Sequence, residues 1–344
     1  MLLLTGATGH VGKALLAELD DVLCLIRARD PEHLEQRRAE LEAKVGVPVR
    51  AVAGDVSQAG LGVRAGGLEG VTRVLHSAAS VRFDMPQEQA AQQNLAATRN
   101  VLAVCRELEV ERYDHISTCY VAGDRQGRAY EHECDEGQGF RNSYEWSKCH
   151  AEVLVRQAMD EGLPAAIHRP SIVVGDSRSG ETESFNVLYW PLKLYARGWW
   201  RTFPGDLETT ADIVPVDWLA RSIAALSRDE RALGQCFHLA AGDAAPTIGS
   251  LLERVRVITG GPPLRAVDQG RYRRFIRPLL WPVFQTRRGR AIKRGGDAFM
   301  PYFTGNPLFD TTCADALLNE AAPPVADYIE GIVRFAVARD FGGR

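Results

Sequence analysis

Residues 1–12, "MLLLTGATGHVG", run from an apolar stretch straight into Gly6, Gly9 and Gly12, three glycines spaced three apart. Leu2–Leu4 reads as a buried strand, and the residues from His10 onward carry a helical pattern, so the glycines fall between a strand and a helix. At that junction a missing side chain serves three purposes. It permits a tight turn, lets a pyrophosphate approach the backbone, and lets the helix pack closely on the sheet. The free N–H groups at the start of the following helix would then face the phosphates. Glycine triplets arise easily in a chain with 32 glycines. It is the order strand, turn, helix that turns this one into a dinucleotide-binding loop.

Outward from that loop the same rhythm repeats. Val22–Ile26, Val49–Ala53, Val74–His76, Tyr113–Ile116 and Ala165–His168 are short apolar runs, each followed by a polar or helically periodic segment. Alternation of this kind predicts a Rossmann-type, doubly wound parallel sheet in an α/β chain. Helices are expected at 10–20, 31–45, 87–108 and 143–161, the second opening on Asp30 as cap and Pro31 as first helical residue. Beyond about residue 175 the rhythm loosens through a glycine-rich turn, Gly175–Gly180, and one more strand is expected at Cys236–Leu239. The division expected is a nucleotide-binding and catalytic part, 1–175, and a substrate-binding region, 176–344, that partly returns to the sheet.

Composition bounds the rest. The 344 residues carry 41 Lys and Arg against 44 Asp and Glu, a formal charge of −3, which gives no general affinity for nucleic acid. Seven cysteines without any CxxC pair fit reduced thiols better than a disulfide framework, and no zinc site is expected. No apolar run reaches the roughly 20 residues of a membrane span, and Met1–Leu4 is too short for a secretory leader. A cytoplasmic location is the expectation.

Cofactor choice is read at the end of the second strand, "VLCLIRARD", where Arg27 and Arg29 stand near the position at which an acidic residue would hold the ribose hydroxyls of NAD. Guanidinium forks suit a 2′-phosphate, so NADPH is favoured, with Asp30 left open as a ribose partner. Asp55 and Val56, just past the third strand, are placed at the adenine edge; Asp55 also fits a simple turn cap.

The chemistry is read from "SYEWSKCHAE". Tyr144 and Lys148 lie one helical turn apart on one face, a phenol beside an ammonium, which predicts a lowered tyrosine pKa and a proton donor to a carbonyl receiving hydride. A second Tyr-x-x-x-Lys pair, Tyr189 and Lys193, contains Pro191, and regular helix is not expected there. The strand in "DHISTCYVAG" ends in Ser117 and Thr118, at the sheet edge where open α/β folds gather ligands. One of these hydroxyls completes the trio.

On these motifs the chain resembles the extended short-chain dehydrogenase/reductases, whose TGxxGxxG loop matches Thr5 to Gly12 and whose Ser/Thr and Tyr-x-x-x-Lys set matches Thr118, Tyr144 and Lys148. The resemblance implies cofactor contacts at Thr5, Gly6, Thr8, Gly9, His10, Val11 and Gly12, at Ser77, Ala78 and Ala79 of "HSAAS", at Asn94, at Lys148, and at Pro170, Ser171 and Ile172 of "HRPSIVVGD". Ala97 stands where the family's helix usually has glycine. Within the superfamily, "CLIRARD", "HSAASVRFDMP" and "RPSIVVGDSRSGET" look like the thioester reductase and fatty acyl-CoA reductase branch. That branch implies NADPH-dependent reduction of an acyl thioester on CoA or an acyl carrier protein. Reduction of a related hydrophobic aldehyde or ketone stays open, as does an epimerase, dehydratase or hydroxysteroid-type dehydrogenase. A dehydratase is disfavoured because Cys119-Tyr120 lacks the usual acid/base pair, and a non-catalytic NADP sensor is disfavoured by Tyr144 and Lys148.

Two later segments invite substrate or partner roles. Tyr189, Trp190, Tyr195, Trp199, Trp200 and Phe203 read as a substrate wall or as core. Residues 271–294, "RYRRFIRPLLWPVFQTRRGRAIKR", reverse the local charge. They suit CoA phosphates, an acidic carrier protein or peripheral contact with an anionic membrane, or form a solvated helical cap.

Overall fold

The computed structural model describes residues 1–185, 188–198 and 202–342. Seven parallel strands form its centre: β1 (Leu2–Thr5), β2 (Val22–Ile26), β3 (Arg50–Ala53), β4 (Arg73–His76), β5 (Arg112–Ile116), β6 (Ala165–Pro170) and, after a short β7 (Ile172–Val174) and β8 (Ile213–Pro215) that pair with each other outside the sheet, β9 (Cys236–Leu239). Their spatial order is β9-β6-β5-β4-β1-β2-β3. The chain therefore reverses direction across the sheet between β1 and β4, and a crevice opens there at the strands' carboxyl ends.

Strand β1 is buried along its whole length. Leu2 and Leu4 join one core layer and Leu3 the opposite one, so side chains alternate between two covered faces. Each fully buried leucine contributes about 1.5–3 kcal/mol. One face is closed by α1 (His10–Leu16) and α2 (Pro31–Val45), and the other by α3 (Ala96–Glu107) and α4 (Ser143–Asp160). Capping fixes where these begin: Asp30 accepts from His33 N to start α2, and Asn142 accepts from Glu145 N to start α4. The single helix expected at 87–108 is helical throughout but contains a π turn at Ala91–Leu95.

From residue 176 onward the chain both leaves and rejoins the sheet. Helix α5 (Tyr189–Ala196), α7 (Ile248–Thr259) and α9 (Val325–Ala338) supply much of a separate apolar cluster around Tyr189, Tyr195, Phe203 and Tyr328. Between them α6 (Val216–Arg228) packs on α1 in the first core, and β9 adds to the sheet edge. Helix α5 corrects an expectation. Pro191 is its third residue, in the first turn, where the missing N–H has no intrahelical acceptor to lose. Tyr189 and Lys193 are spent on packing: Gly175 N donates to Tyr189 Oη at 3.0 Å, and Lys193 Nζ donates to Asp340 O at 3.1 Å. Trp199 and Trp200 lie outside the described residues. Helix α8 (Arg287–Phe299) takes up the end of the basic stretch, in which Phe275, Leu279 and Trp281 are exposed.

Among the described residues no helix is long and apolar enough to cross a membrane, and no cluster of His, Cys, Asp or Glu could hold a metal ion. All seven cysteines are free thiols.

Candidate active site

The crevice at the β1/β4 reversal holds a cavity of about 420 Å3. Two sets of side chains, far apart in sequence, face each other across it. On one wall lie Gly6, Thr8, Gly9, His10, Val11 and Gly12 of the β1–α1 loop, joined by Ser77 and Ala79 after β4. On the other are Thr118 after β5, Tyr144 and Lys148 of α4, and Pro170, Ser171 and Ile172 after β6.

Close packing dictates the glycines. Gly6 has φ +76°, and a Cβ there would lie 2.7 Å from Ala78 N. A Cβ on Gly12 would lie 2.1 Å from Gly6 O, so helix and loop could not meet. At Gly9 a Cβ would meet only Gly6 O at 3.2 Å, and the bare backbone is left open to the cavity. Thr5 sits below the loop, its Oγ1 2.7 Å from His76 Nδ1 and accepting from Ala78 N at 3.3 Å, which ties β1 to β4. His10 Nε2 lies 3.1 Å from Val174 O, fastening the loop to β7.

Helix α4 presents Tyr144 and Lys148 because the i, i+4 spacing puts both on its sheet-facing side. Lys148 Nζ donates to Ile116 O at 2.7 Å, and burial lowers its pKa to about 8, partly opposed by Glu152. Tyr144 hydrogen-bonds Thr118. The expected lowering of the phenol is reversed: desolvation pushes Tyr144 up to about 12, against a smaller downward pull from Thr118. The physical reason is that Lys148 is engaged with a strand carbonyl, while the phenol loses water. Phe83 packs on the Tyr144 ring with centroids 5.6 Å apart.

The two hydroxyls after β5 separate cleanly. Ser117 Oγ donates to Glu152 Oε2 at 2.7 Å, inside a buried network in which Arg169 Nε donates to the same oxygen at 2.9 Å and Arg156 Nε to Oε1 at 2.9 Å. These guanidinium groups hold Glu152 at a pKa of about 2 despite its burial. The network fastens α4 to the ends of β5 and β6. Thr118 is left to face Tyr144, its Oγ1 also accepting from Tyr120 N at 3.3 Å.

Several residues that the sequence places at the cofactor do not line this cavity. Arg27 Nε is 3.5 Å from Asp55 Oδ2, across the carboxyl ends of β2 and β3. Asp55 also caps its own turn by accepting from Ser57 N at 2.9 Å. Val56 O accepts from Asn100 Nδ2 at 2.9 Å. Arg29 reaches back to His33 Nδ1. Asn94 is a brace: it accepts from Ser80 N at 2.7 Å and donates to Ser80 O at 3.1 Å and Ser147 Oγ at 2.8 Å, so its amide is consumed holding the "HSAAS" loop against α4. Ala78 meets Gly6 instead of the cavity. Lining residues not foreseen include Phe83, Tyr120, Glu183 and Tyr302. Glu183 is paired with Lys13 of α1 and lies 3.6 Å from Lys44. Phe83 and Tyr120 fall inside motifs already singled out; Tyr302 has no local signal.

A family model described as male sterility protein, an NAD-binding family, matches residues 4–223. The chain belongs to that family. Its fold is that of the extended short-chain dehydrogenase/reductases. Over 269 residues it is 27% identical to a linear gramicidin synthase of Brevibacillus parabrevis, a match covering 69% of this chain and 5% of that protein. With the fatty acyl-CoA reductase wat of Drosophila melanogaster it shares 28% identity over 279 residues, 66% of this chain and 53% of that one. The chain thus spans only part of these relatives. The terminal R domain of the myxalamid PKS-NRPS biosynthetic pathway superposes with a TM-score of 0.83 at 26% identity, covering 99% of this chain and 91% of that domain.

Proposed function

We propose that this chain is an NADPH-dependent reductase acting on the carbonyl of an acyl thioester carried by CoA or an acyl carrier protein. Thr118, Tyr144 and Lys148 then form the catalytic set. The observation that carries the reading is their convergence, from the end of β5 and from α4, on the cavity that the glycine loop also lines. The same mechanism would serve a related hydrophobic aldehyde.

The residues present fit a dinucleotide: Gly9 leaves backbone open to the cavity, while Gly6 and Gly12 permit a turn that no other residue could make. When bound, the nicotinamide supplies the hydride. Lys148, Ser77 and Ala79 would hold its ribose side, and Pro170, Ser171 and Ile172 its ring side. Tyr144, its phenol pushed up by burial, is protonated at neutral pH and delivers that proton to the carbonyl oxygen as charge develops there. Thr118 Oγ1, bonded to Tyr144, steadies the same oxygen. Phe83 packs on the phenol ring and keeps water from that side. The product of these two transfers is a hemithioacetal, whose C–S bond then breaks as the hydroxyl proton passes to the departing sulfur, giving a free thiol and an aldehyde.

Arg27 and Arg29, at the carboxyl end of β2, support the choice of NADPH over NADH. The exposed basic stretch around Arg271, Arg273 and Arg274 supports an anionic carrier for the acyl group, with contact to an anionic membrane as the other use. Residues 1–175 take the cofactor role and 176–344 the substrate role. Seven free thiols suit the reducing cytosol.

The test follows NADPH absorbance against acyl-CoA, acyl-pantetheine, aldehyde and nucleotide-sugar panels. Oxidation with the thioesters is expected, and Tyr144→Phe lowers kcat about 10²–10⁴-fold while leaving NADPH affinity within about twofold. Turnover of nucleotide sugars alone, or an active Tyr144→Phe enzyme, refutes the proposal.

A further inference from the structure

A second cavity of about 70 Å3 shares Tyr120, Ile172 and Tyr302 with the first as common lining. Its remaining walls are mostly apolar, among them Leu192, Phe203, Ala211, Ile248, Leu252 and Phe299. Tyr302 stands at the partition and is held there from several sides. Its ring stacks on Phe83 with centroids 5.8 Å apart and meets Tyr120 edge-on at 5.5 Å. Its Oη donates to Glu145 Oε1 at 2.5 Å and accepts from Asn142 Nδ2 at 2.7 Å, and the Arg141 guanidinium lies 5.1 Å from its ring centre. Asn142 and Glu145 flank Tyr144 at the start of α4. The turn that carries the phenol thus also fixes the partition.

Among the described residues, Asn306 adds a side-chain amide to this largely apolar lining. Asn306 donates both amide hydrogens, to Thr210 O at 2.8 Å and Tyr302 O at 3.0 Å, so the amide cannot be reversed without setting its oxygen against two carbonyls. Its Oδ1 is buried and has no partner among the described residues. A buried acceptor left in this way is destabilising, and a ligand N–H or O–H would relieve it.

We propose that the second cavity receives the far end of the substrate's acyl group, with Tyr302 as the partition the chain passes, the closed apolar end of the cavity as the limit of its reach, and Asn306 as selector for a chain carrying one hydroxyl or amide N–H. This rests on the acyl-thioester reading above. At about 10–15 Å3 of such space per water-sized group, 70 Å3 takes about five. With the carbonyl held at Tyr144 and these groups beyond it, the preferred acyl group is about pentanoyl to hexanoyl in length, well short of a long fatty chain.

The experiment is calorimetric binding of acetyl-, pentanoyl-, 5-hydroxypentanoyl- and decanoyl-pantetheine to the full chain, with and without NADP. The pentanoyl ester is expected to bind at least tenfold more tightly than the acetyl ester, since three methylenes at about 0.8 kcal/mol each are buried, and more tightly than the decanoyl ester. The hydroxyl adds about fivefold, and Asn306→Leu removes that increment. Ala211→Leu, which fills the cavity, costs the pentanoyl ester more than the acetyl ester, and Tyr302→Ala raises decanoyl affinity. Equal binding of acetyl and pentanoyl esters by the natural chain, or decanoyl binding best, overturns the assignment without recourse to any variant. An unchanged length profile in folded Ala211→Leu also overturns it. Because binding is read independently of hydride transfer, tight pentanoyl binding without NADPH oxidation would sink the reductase reading and leave this one standing.

Discussion

Replacing Lys148 with methionine should abolish turnover and make the protein more stable. The ammonium is 3% exposed, donates one hydrogen bond to Ile116 O, and has its pKa drawn from 10.5 to about 8 by desolvation. Each pH unit between those values is worth about 1.4 kcal/mol, so keeping the charge inside costs about 3 kcal/mol below pH 8. The sign follows from proton counts. Between about pH 8 and 10.5 the unfolded chain holds the Lys148 proton and the folded chain has lost it, so natural stability rises with pH across that window. Below pH 8 both states are protonated and the full cost is present. Methionine removes the charge at similar volume but leaves Ile116 O without its donor, a loss of about 1 kcal/mol. The net expectation is a gain of about 2 kcal/mol at pH 7 that narrows to within about 1 kcal/mol of zero by pH 10. Urea unfolding of the natural chain and Lys148→Met at the two pH values measures this. A Lys148→Met variant that is less stable at pH 7, or a difference that does not change with pH, would refute the claim that Lys148 is kept against stability for function.

Two further outcomes follow from the cofactor side. Gly12→Ala sets a Cβ 2.1 Å from Gly6 O, and should cost at least about 1–3 kcal/mol and most of the NADPH affinity; thermal melts with and without NADPH would show it, and a normal melt with normal binding would contradict the packing argument. Changing Arg27 and Arg29 together to Asp should raise the KM for NADPH about tenfold or more while sparing NADH, and an unaltered ratio of the two kcat/KM values would remove both arginines from cofactor choice.

Much of the architecture is legible in the sequence because it rests on local pattern. The alternation of apolar runs locates each strand of the sheet to within a few residues, and Asp30-Pro31 marks a helix start that Asp30 indeed caps. The i, i+4 geometry of α4 puts Tyr144 beside Lys148 whatever the rest of the chain does. Where a side chain's fate depends on distant partners, the local reading goes astray. Resemblance assigns Asn94 to the cofactor, but its amide is consumed by Ser80 and by Ser147, 53 residues away. Pro191 reads as a helix breaker, yet it falls in a first turn whose start is fixed by tertiary packing.

The sequence by itself determined the parallel sheet, the bare glycine loop and the pairing of a phenol with an ammonium on one helix, since each depends only on backbone preference and spacing. Tertiary structure decided which of two adjacent hydroxyls faces that phenol, because Glu152, held by Arg169 from the neighbouring strand, claims Ser117 and leaves Thr118 to Tyr144. It also raised the phenol's pKa, because desolvation outweighs the Thr118 hydrogen bond, and it brought Tyr302 across 157 residues to Glu145. No local pattern carries either fact: desolvation and long-range hydrogen bonding exist only once the chain has closed around them.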